Sequence, residues 1–263
     1  LLALLSLKGK KKLFFLILFG NQVPEKVKMF PEDSVQSIIN PSPWWEKSEV
    51  KNLERGCLVY AFVPHVDQVP YTVKPIGRSQ AERHDSAKLD IAPLRMKERR
   101  SREDLPVAAM TLHDGELWVA YRAKKRPCLV LGTNPPAVDD SLRRGMPKRS
   151  TAPVVLVAPY YGVDRDGTRS GYKSELVERI RHAEYPQFFW DKLPVTGPKE
   201  SILRLDHIQP VGTQYNSYEL AEYKLSENAM ELMDDLLQWL IWGGVPADSL
   251  ILDYRKQIES IFG

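Results

Sequence analysis

Twenty prolines are spread along this 263-residue chain, and they limit what it can build. A proline inside a helix removes a hydrogen bond and clashes with the preceding turn, so frequent prolines hold a chain to short elements. Strands and loops are therefore expected to dominate, around a β-rich core. Three apolar runs fit that expectation: Gly56-Cys57-Leu58-Val59-Tyr60-Ala61-Phe62-Val63, Pro127-Cys128-Leu129-Val130-Leu131-Gly132, and Pro153-Val154-Val155-Leu156-Val157-Ala158-Pro159-Tyr160-Tyr161. Short and continuously apolar, the later two have the pattern of buried strands.

The chain is long enough to bury a sizeable core, and 43% hydrophobic with 27% charged residues is ordinary for one main globular domain with appendages. A net charge of +3 and a pI near 8.7 permit nucleic-acid binding without requiring it. Cys57 and Cys128 have no Cys or His neighbour at ligand spacing, which argues against a zinc site or a disulfide framework. They read as buried thiols in a reduced, cytoplasmic protein. Near the amino terminus, Leu1 to Leu7 and Leu13 to Phe19 are apolar blocks divided by Lys8, Lys10, Lys11 and Lys12. Neither approaches the roughly 20 apolar residues that cross a bilayer. The reading is a buried hairpin, a docked strand pair or a partner-binding segment, with membrane association as the alternative.

Trp44-Trp45 follows Pro41-Ser42-Pro43 and is expected to pack its indoles onto the core. The segment from Arg78 to Asp104 holds eight Lys/Arg and six Asp/Glu, so it reads as an exposed loop or insertion. His113-Asp114-Gly115-Glu116 joins Val107–Leu112 to Leu117–Tyr121 in a predicted hairpin. A short helix is expected from Glu175 to His182, and a strand from Ser201 to Leu205. The clearest helix starts at the N-cap Ser226 and runs through Trp242 to Gly243-Gly244, with Ala229, Met233, Leu236, Leu237, Leu240 and Ile241 on one face. A last helix, about Ala247 to Phe262, carries Leu250, Tyr254, Ile258 and Ile261 as its stripe.

Four segments, in order, carry a family likeness: Arg55-Gly56-Cys57-Leu58-Val59-Tyr60, Lys125-Arg126-Pro127-Cys128-Leu129-Val130-Leu131, Val154-Val155-Leu156-Val157-Ala158-Pro159, and Leu203-Arg204-Leu205-Asp206-His207-Ile208-Gln209-Pro210-Val211. Together with the late helix they resemble the MazF/PemK family of toxin endoribonucleases. The resemblance implies a mainly β fold with α, namely an SH3-like β-barrel of the MazF/PemK/CcdB type plus carboxy-terminal helices. It divides the chain into an extension at 1–54, a barrel at 55–242 with an insertion at about 78–104, and a helical extension at 243–263. It also implies metal-free cleavage of single-stranded RNA, no cofactor, a homodimer and an antitoxin partner.

Such cleavage needs a group to take the ribose 2′-hydroxyl proton, a donor to the leaving 5′-oxygen and positive charge on the transition state. Arg126 matches the family arginine, and a guanidinium suits phosphate through its bidentate fork. The family's Thr or Ser falls at Tyr160 or Tyr161, its opening aspartate at Cys57 and its glutamine at His207. Arg122, Lys124, Lys125, Arg143, Arg144, Lys148 and Arg149 are candidate RNA-backbone contacts. The segments Pro64 to Gly77 and Thr133 to Ala152 are expected to be loops enclosing the strand. His65, His113 and His207 titrate in the right range for acid–base work, but Asp206 and His207 are expected on opposite faces of a strand. Two other functions stay open: a degenerate relative that binds and sequesters a regulatory protein, released by proteolysis of the charged loop in a defence system, and a non-catalytic RNA-binding barrel.

Overall fold

The computed structural model describes residues 30–49, 52–78, 80, 82–83, 86–97, 112–113, 115–133, 139–143, 154–164, 171–214 and 216–262. The apolar blocks of residues 1–20 and the first strand of the predicted 107–121 hairpin, up to Thr111, lie outside them. In chain order the strands are β1 (Trp45–Lys47), β2 (Cys57–Pro64), β3 (Tyr71–Gly77), β4 (Lys88–Pro93), β5 (Trp118–Ala120), β6 (Ala123–Gly132), β7 (Val154–Gly162), β8 (Phe188–Lys192), β9 (Glu200–Arg204), β10 (Gln209–Gly212) and β11 (Tyr218–Leu225). The helices are α1 (Ser174–Arg181), α2 (Glu227–Trp242) and α3 (Leu250–Phe262). Among the described residues the protein is mainly β with α, in two antiparallel sheets. The larger runs β1-β11-β2-β6-β7-β9-β8, with β10 on the first half of β7 and β9 on the second; the smaller runs β4-β3-β5. Neither sheet closes on itself.

Successive side chains of a strand point to opposite faces. Leu58, Leu129, Ala158 and Tyr160 face one way and pack with Leu225, Met233 and Leu236 beneath α2. Their neighbours Val59, Cys128, Val130 and Val157 face the other way and form a second apolar cluster with Val63 and Val155. The central residues of β2, β6 and β7 are therefore covered on both faces, which is why these strands read as continuous apolar runs.

Ser226 caps α2 by accepting the Ala229 N–H at 3.3 Å, and Gly243 ends it in the left-handed region at φ 76°. Met230 and Leu232 join Ala229, Met233 and Leu236 inside, whereas Ile241, expected on that stripe, is 59% exposed. In α3 the buried residues are Ile251, Tyr254 and Ile258. Leu250 and Ile261, expected inward, are exposed, because the buried stripe is set by Ile251 at the i, i+3, i+7 spacing. The segment before residue 55 and the helix after residue 243 share one cluster with the sheet: Val35 and Ile39 are buried in it beside Ile251 and Tyr254.

Two segments expected as loops contain strands. The stretch Pro64 to Gly77 ends in β3, and the charged stretch Arg78 to Asp104 contains β4, paired with β3 through Val73↔Ile91 and Thr72↔Ala92. Period-two alternation in Leu89, Ile91 and Pro93 is short and set among charges, so composition masked it. The charged stretch is nonetheless exposed, and all six residues of β4 face solvent.

Asp191 of β8 is fully buried. Its carboxylate accepts from Gln36 Nε2 at 2.8 Å, Trp45 Nε1 at 3.1 Å and Tyr160 Oη at 3.0 Å. Trp44, beside it, stacks on Phe189 with centroids 4.9 Å apart. The tryptophan pair packs on the core as expected, and one indole also ties the carboxylate. Burial pushes Asp191 up from 3.8 to about 6, against the three donors that favour its charge. A carboxyl raised in the folded state contributes stability that is fully present below about 3.8 and is lost as pH rises through about 6. Urea unfolding at about pH 4 and about pH 7 is expected to show a loss on the order of 3 kcal/mol from this group, absent in Asp191→Asn. Equal pH slopes in the two proteins would contradict this assignment.

Candidate active site

β6 and β7 pair with Cys128 opposite Pro159 and Leu129 opposite Ala158. Two residues further along that register, Arg126 stands opposite Tyr161, where the apolar face of Cys128 and Val130 turns polar. The Arg126 guanidinium carbon lies 4.0 Å from the Tyr161 ring centroid, a cation–π distance. Arg126 Nε is buried and has no hydrogen-bond partner among the described residues. A buried donor left unpaired costs about 1–3 kcal/mol, more when charged, so this atom is suited to an incoming acceptor.

From the Tyr161 hydroxyl runs a chain of polar contacts. Tyr161 Oη is 2.9 Å from His207 Nδ1, and His207 Nε2 is 2.9 Å from an Arg204 terminal nitrogen. Arg204 donates to both Asp206 oxygens, at 2.7 and 2.6 Å. Its guanidinium carbon is 4.9 Å from the Phe188 centroid and 5.7 Å from that of Tyr161. Asp206 and His207 do not lie in a strand: Leu205–His207 is a 3₁₀ turn after β9, and its tight winding brings both side chains to Arg204. The expectation that they diverge is corrected on that ground.

Burial pushes Tyr161 above its ordinary range, with Arg126 and Arg204 opposing. His207 is pushed below 6.5, first by burial and then by Arg204. Arg204 is raised, chiefly by its hydrogen bonds to Asp206, and Tyr172 also bonds it. The Asp67 carboxylate, in the turn after β2, acts on both Tyr161 and His207.

Arg126 and Tyr161 border an open groove of about 890 Å³, together with His65, Arg122, Lys124, Asp164, Tyr172 and Lys199. Arg122 and Lys124 are exposed along it, as candidate backbone contacts should be. Lys125 also borders it, yet its ammonium is paired with Glu219 and lies 5.4 Å from the Tyr60 centroid. Arg143 belongs to a short 3₁₀ turn, and its side chain is outside the described residues, as are Arg144, Lys148 and Arg149. Tyr160 touches the groove wall, but it is 2% exposed and its hydroxyl is engaged by Asp191. Alternation along β7 sends the two tyrosines to opposite faces. Cys57 is buried, and burial pushes Cys128 up to about 12. His113 lies apart from the groove, its backbone N–H held by Glu116.

Sequence reasoning missed Arg204 as a site residue. An Arg-x-Asp spacing in Arg204-Leu205-Asp206 was the available signal.

No protein-family model, curated protein or solved structure matches this chain. Among the described residues no three His, Cys, Asp or Glu are grouped to hold a metal, and no helix is long and apolar enough to cross a membrane.

The two tyrosines are expected to separate by measurement. Tyr160→Phe leaves Asp191 one donor short and should cost about 1–3 kcal/mol in chemical denaturation. Tyr161→Phe, at the half-buried groove, should cost about 1 kcal/mol or less. The reverse order of costs would mean that the faces are misassigned.

Proposed function

We propose that this groove binds single-stranded RNA and cleaves it without a metal, on a divergent MazF/PemK-like barrel. The observation that carries the reading is Arg126, whose Nε is buried and unpartnered and whose guanidinium lies over the Tyr161 ring, in a groove edged by Arg122 and Lys124. A phosphodiester supplies the acceptors that this guanidinium lacks. The ribose 2′-oxygen attacks phosphorus, forming the P–O2′ bond while the P–O5′ bond breaks. The 2′-hydroxyl proton passes to the His65 imidazole, which borders the groove. Tyr161, a phenol that holds its proton at pH 7, gives that proton to the leaving 5′-oxygen. Arg126 neutralises the charge that develops on the non-bridging oxygens. The products are a 2′,3′-cyclic phosphate and a 5′-hydroxyl end.

Purified protein incubated with long single-stranded RNA in chelator is expected to give these ends. Arg126→Ala and Tyr161→Phe should each lower the rate about 10²-fold or more. Cleavage untouched by Arg126→Ala would remove that residue from the mechanism.

A second reading, binding of an antitoxin or other regulatory protein, is favoured by the small sheet. Its register aligns Val73 with Ile91 and Trp118, and Tyr71 with Pro93 and Ala120, so one face is apolar across three strands. Tyr71, Ile91 and Trp118 are 45%, 59% and 41% exposed. Contiguous exposed apolar surface of this kind suits a protein partner. Co-purification from the native operon should then recover a stable partner that Ile91→Glu loses, with RNA cleavage by the variant unchanged. Retention of the same partner by Ile91→Glu counts against this face.

A further inference from the structure

The contacts of His207 determine where its proton sits. An arginine has only N–H donors, so the 2.9 Å contact between Arg204 and His207 Nε2 requires that nitrogen to be an acceptor. The terminal nitrogen of Arg204 has two hydrogens; one meets Asp206 Oδ2 at 2.6 Å, which leaves the other for Nε2. His207 is therefore neutral with its proton on Nδ1, and Nδ1–H donates to Tyr161 Oη across 2.9 Å. The Tyr161 oxygen then accepts from His207, and its own hydrogen is left to point away from the imidazole, toward the groove that Tyr161 borders.

We propose that Asp206, Arg204 and His207 form a positioning relay that fixes one histidine tautomer and thereby aims the Tyr161 hydroxyl proton into the groove. The proposal rests on the reading of Tyr161 as the donor to the leaving oxygen. It excludes His207 as the base, since both ring nitrogens are occupied and His207 does not border the groove. Asp206 acts two steps away: its bidentate hold on Arg204 leaves the guanidinium one orientation in which a hydrogen meets Nε2. The charged groups acting on His207 are Arg204, Asp206, Asp67 and Arg126. The two arginines oppose a second proton on its ring. A relay of this polarity does not need a histidine. A glutamine can accept from Arg204 through its carbonyl and donate to Tyr161 through its amide.

The test has a spectroscopic arm and a kinetic arm. Long-range proton–nitrogen correlation spectra of ¹⁵N-labelled protein, with His207 assigned by its loss in His207→Gln, are expected to show a protonated Nδ1 and a bare Nε2. Arg204→Ala should release Nε2 and shift that ring toward the other tautomer. A protonated Nε2 in the unaltered protein, or a spectrum unmoved by Arg204→Ala, overturns the relay whether or not RNA is cut. In the kinetic arm, His207→Gln should cleave RNA near the unaltered rate. His207→Leu, of similar bulk, should fall toward Tyr161→Phe, about 10²-fold in kcat with KM little changed. Equal cleavage by His207→Leu and the unaltered protein also overturns it. If the unaltered protein cuts no RNA, the reading of Tyr161 as a donor to RNA fails, and with it the relay's catalytic purpose, while the spectra still decide the tautomer.

Discussion

The hydrogen bonds converging on Asp191 tie together parts of the chain that are far apart in sequence. Gln36 and Trp45 arrive from the amino-terminal connector, Tyr160 from β7, and the carboxylate itself from β8. A fully buried carboxylate without partners would be prohibitively costly, so the donors and the acceptor must assemble together. Once Tyr160 is drawn inward to this carboxylate, the pleat of β7 leaves Tyr161 no choice of face. The core knot and the groove are thus two consequences of one strand. A change that freed Tyr160 would disturb the position of Tyr161 through the backbone they share.

Arg126 and Tyr161 also owe their environment to the second apolar cluster. Val59, Ala61, Cys128, Val130 and Val157 fill one face of the central strands, and that face turns polar at the Arg126–Tyr161 step. A guanidinium set at the edge of a dry cluster is partly stripped of water, which strengthens any charge it meets. Burial, with Arg204 beside it, also keeps a second proton off His207. Dry flanks and two arginines therefore turn ordinary residue types into a directed donor.

Much of the scaffold was legible in the chain. Continuous apolar runs identified β2, β6 and β7 because both of their faces are covered, and Ser226 and Gly243 marked the ends of α2 because capping is a local property. Arg126 stood out because Arg-Pro precedes a buried run. The strands β3 and β4 were not legible: their alternation is brief, and charges crowd the segment between them. Equally hidden was the direction of the α3 stripe, since Leu250 and Ile251 are both apolar and only packing chooses between them.

The amino-acid sequence by itself determined the mainly β character, the buried cysteines, the late helix with its caps and the arginine that precedes the buried run of β6. These follow from periodicity, turn chemistry and propensity, which act over a few residues. Tertiary structure alone decided which of two adjacent tyrosines enters the groove and that Asp206 and His207 converge on Arg204. Each of those depends on a register or a turn that joins residues far apart in sequence. The energy that selects it is shared among partners no local window contains.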